Sequence, residues 1–224
     1  MSAGVARYEG LAEWYDEVMR DPGERGALAV SAYATLADQL GPGRGWILDV
    51  GVGTGLAAER VRRLGYEPFG VDLSFNQLQI ASGRLPVVQS DAAQLPLADE
   101  SVANAYSTFV SSDLDDLEAA LREVHRVLVP GGRYVSICVH PALNGGHSEL
   151  RDDDTVVVEP GYTTTSYRSS EQHDSTIRSH VGAWHRPLAA LVNAHLAAGF
   201  RLTRLVETGP NPLPLILGIT VEKP

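Results

Sequence analysis

Between residues 46 and 139, short apolar runs alternate with amphipathic segments of helical period. Strict alternation of strand-length and helix-length segments is typical of a parallel sheet that carries helices on both faces. Five strands are predicted, over residues 46–50, 68–71, 86–89, 101–108 and 133–139. Three helices are predicted between these strands: one over residues 56–64, one that begins after Ser74 as its N-cap, and one over residues 117–127.

The flanking segments depart from this repeat. Residues 8–19 and 27–40 predict two helices before the first strand. Residues 141–186 are polar, lack a clear period and are too long for an ordinary connection. The chain then closes with a predicted helix and an apolar hairpin, at residues 187–198, 200–207 and 215–221. We therefore predict an α/β fold with a seven-stranded, mostly parallel sheet, helices on both faces, a terminal antiparallel hairpin and an insertion after strand five.

Charge and composition narrow the class of protein. The 224 residues carry a formal net charge of −10, which repels a phosphate backbone, so we expect no nucleic-acid partner. No stretch approaches the roughly 20 apolar residues of a membrane span, and residues 1–20 lack an apolar signal-peptide core. The single cysteine, Cys138, permits no internal disulfide and fits a reducing compartment. We expect a cytoplasmic monomer or homodimer with no membrane association.

The strongest chemical signal follows the first strand, in the segment Asp49-Val50-Gly51-Val52-Gly53-Thr54-Gly55. Glycines in a strand-to-helix turn let backbone N–H groups approach a ligand without a side-chain clash. Asp72 ends the second strand, where its carboxylate can accept hydrogen bonds from two ribose hydroxyls. Asp91 ends the third strand, where its carboxylate can accept a hydrogen bond from an adenine amino group. Because parallel strands end at one edge, we expect one adenosine site. A glycine-rich turn without a ligand is the alternative for the loop motif alone.

Two ligands fit a site of this kind, a dinucleotide and S-adenosylmethionine. A dinucleotide fingerprint reads Gly-x-Gly-x-x-Gly, whereas the glycines here are at 51, 53 and 55, followed by Leu56. Asp49 stands two residues before the first glycine. Its carboxylate would repel a pyrophosphate and suits the cationic amino-acid end of S-adenosylmethionine. The pattern favours S-adenosylmethionine and leaves a nicotinamide-dependent oxidoreductase as the weaker alternative.

These motifs resemble those of the class I S-adenosylmethionine-dependent methyltransferases with small-molecule acceptors, the methyltransferase type 11-like group. Residues 95–101 and 123–132 also resemble segments of that family, and the resemblance is firm over residues 44–139. It implies a Rossmann-like fold, S-adenosylmethionine as the methyl donor and S-adenosylhomocysteine as the product. Two positions depart from the family pattern: Val52, where Ala or Cys is commoner, and Ala103-Asn104, where Phe-Asp is usual.

The resemblance also implies site residues and a division of the chain. Tyr15 belongs to an N-terminal helix that covers the cofactor, where an aromatic face can meet the sulfonium. The predicted cofactor-binding residues are Tyr15, Asp49, Gly51, Val52, Gly53, Gly55, Asp72, Leu73, Asp91, Ala92 and Ser107. A single methyltransferase domain over residues 1–224 is expected to comprise a helical cap (1–43), a cofactor-binding core (44–139), a substrate-binding lid (140–186) and a closing helix and hairpin (187–224).

The insertion is the predicted acceptor side. His140 follows strand five directly and His147 comes next, so either could act as a general base near neutral pH. Tyr162, Trp184 and His185 are the predicted substrate-binding residues. A solvated loop rich in histidine, with His173 and His180, is the alternative. The histidines and Asp152-Asp153-Asp154 show no recognisable metal-ligand spacing, so we predict no metal.

The sequence thus predicts methyl transfer from S-adenosylmethionine to a small molecule, which we expect to be a secondary metabolite, by in-line displacement. The Asn/Asp-Pro-Pro-Tyr loop of enzymes that methylate nucleic-acid bases is missing, since Tyr106-Ser107-Thr108-Phe109 ends the fourth strand. A protein that uses this fold for binding or for a cyclisation is a further alternative.

Overall fold

The computed structural model describes residues 6–21, 23–151, 153, 155–172, 177–210 and 213–224. Asp152, Asp154 and His173, which the sequence places in the insertion, lie outside these residues. The N-terminal half contains α1 (Ala12–Arg20), α2 (Glu24–Leu40), β1 (Gly45–Val50), α3 (Ala58–Arg63), β2 (Tyr66–Asp72), α4 (Phe75–Ala81), β3 (Val87–Gln89) and β4 (Val102–Thr108). The C-terminal half contains α5 (Leu117–Val127), β5 (Leu128–Val139), β6 (Ser148–Leu150), β7 (Val156–Val158), β8 (Ser166–Arg168), α6 (Arg178–Val181), β9 (Ala183–His185), α7 (Leu188–Ala197), β10 (Arg201–Thr208) and β11 (Ile216–Glu222).

One seven-stranded sheet forms the centre of the fold, with the order β10-β11-β5-β4-β1-β2-β3. The pairs from β5 to β3 are parallel, and β11 is antiparallel to both of its neighbours. Six strands therefore run in one direction and β11 runs against them. This arrangement confirms the predicted mostly parallel, Rossmann-like sheet with a terminal antiparallel hairpin.

Helices cover both faces of the sheet, because the strands are apolar on both sides. On one face α5 and α7 pack against the strands through residues such as Leu121, Val124 and Leu191. On the other face α2 and α3 contribute Leu36 and Val61 to a second buried cluster. None of the described helices combines the length and hydropathy that a membrane crossing requires.

Side-chain caps fix the start of two helices that follow strands. The Ser74 hydroxyl accepts a hydrogen bond from the backbone N–H of Gln77 at 3.3 Å, as expected for the predicted N-cap of α4. The Asp116 carboxylate accepts from the N–H of Ala119 at 2.8 Å and begins α5 in the same way. Both helices therefore start directly beyond the carboxyl edge of the sheet.

The insertion after β5 contains more regular structure than its sequence predicts. It folds into two separate two-stranded antiparallel sheets, β6 with β7 and β8 with β9. Each of these strands has three residues, which is too short for an alternating pattern to stand out from the polar background. The absence of a visible period thus reflects the shortness of the elements.

Candidate active site

A cavity of about 390 Å³ lies at the carboxyl edge of the parallel strands. This is the edge at which parallel α/β sheets place their ligands, and sites for small molecules typically measure about 300–1,000 Å³. The wall is formed by the turns that follow β1, β2, β3 and β4, together with α1 and the segment before it. Predicted cofactor-binding residues on this wall are Tyr15, Gly51, Gly53, Asp72, Leu73, Asp91 and Ala92.

The glycine turn after β1 requires glycine for both conformational and steric reasons. Gly51 and Gly53 have φ angles of +70° and +55°, in the left-handed region that other residues avoid. A Cβ atom at Gly53 would lie 2.7 Å from the side-chain oxygen of Gln77. The N–H groups of Gly51 and Val52 both donate to the carbonyl of Val71 at 2.9 Å, which ties the turn to β2.

Asp72 joins the glycine turn to the start of α4. Its carboxylate accepts from the N–H of Gly53 at 2.8 Å and from the N–H of Ser74 at 2.9 Å. Burial raises the pKa of Asp72, and these two backbone donors act in the opposite direction. An ionised carboxylate offers about four acceptor positions, so the backbone donors leave room for a ligand hydroxyl. The geometry fits the role predicted for a ribose-binding acid.

Asp49 is buried beneath the glycine turn, with 1% of its surface exposed, and does not reach the cavity wall. Its Oδ1 atom has no hydrogen-bond partner among the described residues. Burial raises the pKa of Asp49 to about 7, the negative charge of Asp72 adds to this effect, and the nearby Tyr106 hydroxyl opposes it. When ionised, a buried carboxylate of this kind favours a cationic group in its neighbourhood.

Of the remaining predicted cofactor-binding residues, Asp91 lies on the cavity wall and three others do not. Asp91, on the wall, also accepts from the N–H of Ala93 at 2.9 Å, so it stabilises the turn after β3 as well. Val52 and Ser107 are buried, and the Ser107 hydroxyl lies 2.7 Å from that of Tyr134. A Cβ at Gly55 would lie 2.7 Å from the Leu85 side chain. Val52, Gly55 and Ser107 therefore lie behind the described wall and pack against it.

Helix α1 and the segment before it cover one side of the cavity. Tyr8 and Tyr15 line the wall with ring centroids 5.0 Å apart. The neighbouring Asp16 carboxylate is held by both guanidinium nitrogens of Arg84 at 2.6 and 2.9 Å. Arg84 also donates to the carbonyl of Thr54 at 2.6 Å, so one side chain fixes α1 to the end of the glycine turn.

The loop after β4 forms a further part of the wall, and neither this loop nor Tyr8 is among the predicted site residues. Asp113 lies on this wall, where one carboxylate oxygen accepts from Arg178 at 2.6 Å and the other lies 3.4 Å from the Tyr8 hydroxyl. Arg186 of the insertion donates to the carbonyls of Ser111 and Leu114, both at 2.7 Å. The sequence selects Asp72 and Asp91 as acids that end predicted strands, and Asp113 lies too far beyond the end of β4, at Thr108, to be selected in this way.

The predicted catalytic and substrate-binding residues lie away from the described wall. His140 is buried; its Nδ1 accepts from the N–H of Ala142 at 3.2 Å, and its Nε2 therefore donates to Glu207 at 2.6 Å. The ring of His147 lies 4.6 Å from that of His185, and His185 contacts the carbonyl of Tyr162 at 2.7 Å. These three residues contact one another inside the insertion.

Trp184, the remaining predicted substrate contact, faces the loop after β4. Its indole N–H donates to Asp115 at 2.8 Å, and Asp115 also pairs with Arg7. Arg7 in turn donates to the Tyr167 hydroxyl at 2.8 Å and lies over that ring. The insertion, the N-terminal segment and the loop after β4 thus form one connected network beside the cavity.

Comparison with known proteins finds a sequence family that matches the part of the chain around the cavity. Residues 48–136 match the sequence model of the methyltransferase domain family. The chain is 36% identical over 97 residues to the demethylmenaquinone methyltransferase of Mycolicibacterium paratuberculosis, an alignment that covers 43% of this chain and 42% of that protein. It is 33% identical over 141 residues to the methyltransferase GfsG of Streptomyces halstedii, covering 58% and 48% of the two chains. The chain spans 36–48% of the length of the curated relatives it matches.

Solved structures extend the likeness of the fold beyond this core. An S-adenosylmethionine-dependent methyltransferase of Thermotoga maritima superposes with a TM-score of 0.71 at 21% identity, covering 97% of this chain and 99% of that chain. Residues 48–136 thus match the methyltransferase domain family, and the fold of the chain is like that of solved S-adenosylmethionine-dependent methyltransferases.

Proposed function

We propose that the chain binds S-adenosylmethionine in this cavity and transfers its methyl group to a small-molecule acceptor by in-line displacement. The observation that carries this proposal is the convergence of the Gly51–Gly53 turn, Asp72 and Asp91 on one cavity at the carboxyl edge. Asp72 has acceptor positions left for ribose hydroxyls, and the buried acid Asp49 lies beneath the turn, with an Oδ1 that has no partner among the described residues. When bound, S-adenosylmethionine supplies a methyl group that its sulfonium already activates.

The residues of the chain align the methyl donor with the acceptor and exclude water from the cavity. Tyr8 and Tyr15 present aromatic rings to the cavity, which suit a sulfonium, and α1 closes that side of the wall. The loop from Phe109 to Asp116 and the insertion behind it shape the other side. Holding donor and acceptor in one orientation accounts for most of the acceleration expected of such a site.

A histidine general base stays a prediction, and the observed contacts of the histidines do not favour it. Both ring nitrogens of His140 are engaged, and His147 packs against His185 within the insertion. Either ring would have to change its contacts to meet an acceptor on the described wall. Catalysis by alignment alone fits the observed contacts better.

The acceptor is proposed to be a small organic molecule, with a secondary metabolite as the expected class. One relative is named for its action on demethylmenaquinone, so a demethylated quinone belongs among the first acceptors to test. The net charge of −10 continues to argue against a nucleic acid. A cytoplasmic location and a monomeric or homodimeric state remain predictions from the sequence.

Thermal unfolding with and without ligand tests the proposal. S-adenosylhomocysteine at 100 times its dissociation constant should stabilise the folded protein by about 2.7 kcal/mol, whereas nicotinamide cofactors should not shift the melting temperature. Transfer of label from S-adenosylmethionine to a panel of small aromatic and quinone acceptors then tests catalysis. Stabilisation without any transfer would favour the binding or cyclisation alternative, and stabilisation by a nicotinamide cofactor alone would overturn the proposal.

A further inference from the structure

Gln77 is a polar side chain on the cavity wall whose oxygen lacks a partner. The residue is 3% exposed, and its Oε1 atom has no hydrogen-bond partner among the described residues. A buried amide oxygen without a donor costs free energy, and most such groups in folded proteins are paired. An apolar side chain of similar length at this position would avoid that cost. The unpaired oxygen therefore points to a donor that a ligand brings into the cavity.

The position of Gln77 indicates which part of a ligand it meets. Its backbone N–H donates to the Ser74 cap, so it belongs to the first turn of α4, directly after Asp72 and its two backbone donors. Its Oε1 lies close to Gly53: a Cβ atom added to that glycine would be 2.7 Å from this oxygen. The N–H of the same glycine donates to Asp72. Gln77 and Asp72 thus present oxygen acceptors to the same part of the wall, beside one glycine.

We infer that Oε1 of Gln77 accepts a hydrogen bond from a ribose hydroxyl of the adenosyl ligand, beside the Asp72 carboxylate. The inference rests on the proposed function, because it assigns a partner to a ligand of that same site. A neutral amide adds an acceptor here without adding a charge next to Asp72, whose own pKa burial already raises. Gln77 is a cofactor-binding residue in this scheme and takes no part in the transfer itself.

Calorimetry with two ligands tests the inference. S-adenosylhomocysteine and 5′-methylthioadenosine share the ribose and the adenine, and only the first carries the amino-acid group. Gln77→Met removes the acceptor and keeps the side-chain length. It should weaken binding of both ligands by the same factor, about 2- to 10-fold, which is the usual worth of a neutral hydrogen bond. Gln77→Leu is the second variant if the methionine protein does not fold.

The matched control is Gln79→Met, the same substitution on the exposed side of α4, which should leave both affinities unchanged. The ligand-free Gln77→Met protein should unfold at the same temperature as wild type or higher, because an unpaired buried oxygen has been removed. Unchanged affinity for both ligands, a loss confined to S-adenosylhomocysteine, or an equal loss in Gln79→Met would each overturn the inference. A wild-type protein that binds neither ligand would instead overturn the proposed function.

Discussion

Asp49 gives the site a property that can be measured without any ligand. Burial raises the pKa of this carboxyl from its ordinary value of 3.8 to about 7 in the folded protein. The folded chain therefore holds a proton that the unfolded chain releases between these two pH values. Because the folded state binds more protons there, the contribution of Asp49 to stability falls as the pH rises from about 4 to 7 and is lowest above 7.

Asp49→Asn, which is nearly isosteric, should remove this pH dependence. Between pH 5 and pH 8, wild type should lose about 2–3 kcal/mol more of its free energy of unfolding than the variant loses. This estimate follows because each pKa unit corresponds to about 1.4 kcal/mol. Urea titrations of both proteins at the two pH values measure the difference. If the two proteins show parallel changes with pH, Asp49 is not protonated in the folded state.

Single residues also show where prediction from the sequence ends. Asp72 and Asp91 could be placed on the cavity because each ends a strand whose direction the alternating pattern predicts. Gln77 could not, because its proposed role depends on its position beside Gly53 in the fold, and no local pattern encodes that position. Tyr162 and His185 illustrate the converse, since residues that suit a substrate pocket by type contact each other inside the insertion.

At the scale of elements, the central sheet was predictable and the insertion was not. Helix α5 has the same bounds that its apolar period predicts, Leu117–Val127, because one face meets the sheet along its whole length. Strand β5 begins at Leu128, five residues earlier than predicted, because Leu128 pairs with Val102 of β4 before a shift in register, after which the pairing resumes at Arg133. The short strands of the insertion are stabilised by contacts with each other and with the loop after β4, which a local pattern does not reveal.

Arg84 holds α1 against the glycine turn, and this set of hydrogen bonds, called the clamp below, leads to a prediction at the scale of elements. Arg84→Met removes three hydrogen bonds, two to Asp16 and one to the Thr54 carbonyl, so α1 should detach from the turn more often. We expect a loss of about 1.5–3 kcal/mol in unfolding free energy, the range for a hydrogen bond to a charged group. Hydrogen exchange of residues 12–20 should accelerate more than exchange in β1 or β4.

Arg63→Met is the matched control for the clamp. Arg63 pairs with Glu59 at 3.3 Å, but both side chains are largely exposed, so the loss should stay below about 0.5 kcal/mol. The clamp also depends on pH, since hydrogen bonds from Arg84 lower the pKa of Asp16 to about 2 despite partial burial. Its contribution is present above the unfolded pKa and is lost as the pH falls towards 2. Equal exchange of residues 12–20 in both variants would contradict the clamp.

At the scale of the whole molecule, arginines connect the insertion to the cavity. Arg178 binds Asp113 and the Ser112 hydroxyl, at 2.6 and 2.5 Å, and Arg186 binds two carbonyls of the same loop. These side chains extend from the insertion to a wall that the parallel sheet alone would leave open. We therefore expect the insertion to act as a lid on the acceptor side, whose order depends on this loop.

Arg178→Met tests the lid, because it removes the pairing with Asp113 and leaves the cofactor turn untouched. Hydrogen exchange of residues 109–116 and 177–186 should accelerate in the variant, while in wild type it should slow when S-adenosylhomocysteine and an acceptor are both bound.

Arg168→Met is the control, since the hydrogen bonds of Arg168 go to Gly146 and Gln172 within the insertion. If the loop orients the acceptor as proposed, turnover should fall in Arg178→Met by a larger factor than the affinity for S-adenosylhomocysteine. If exchange of residues 109–116 is the same in both variants, the insertion does not order the cavity wall, and its role in selecting the acceptor is wrong.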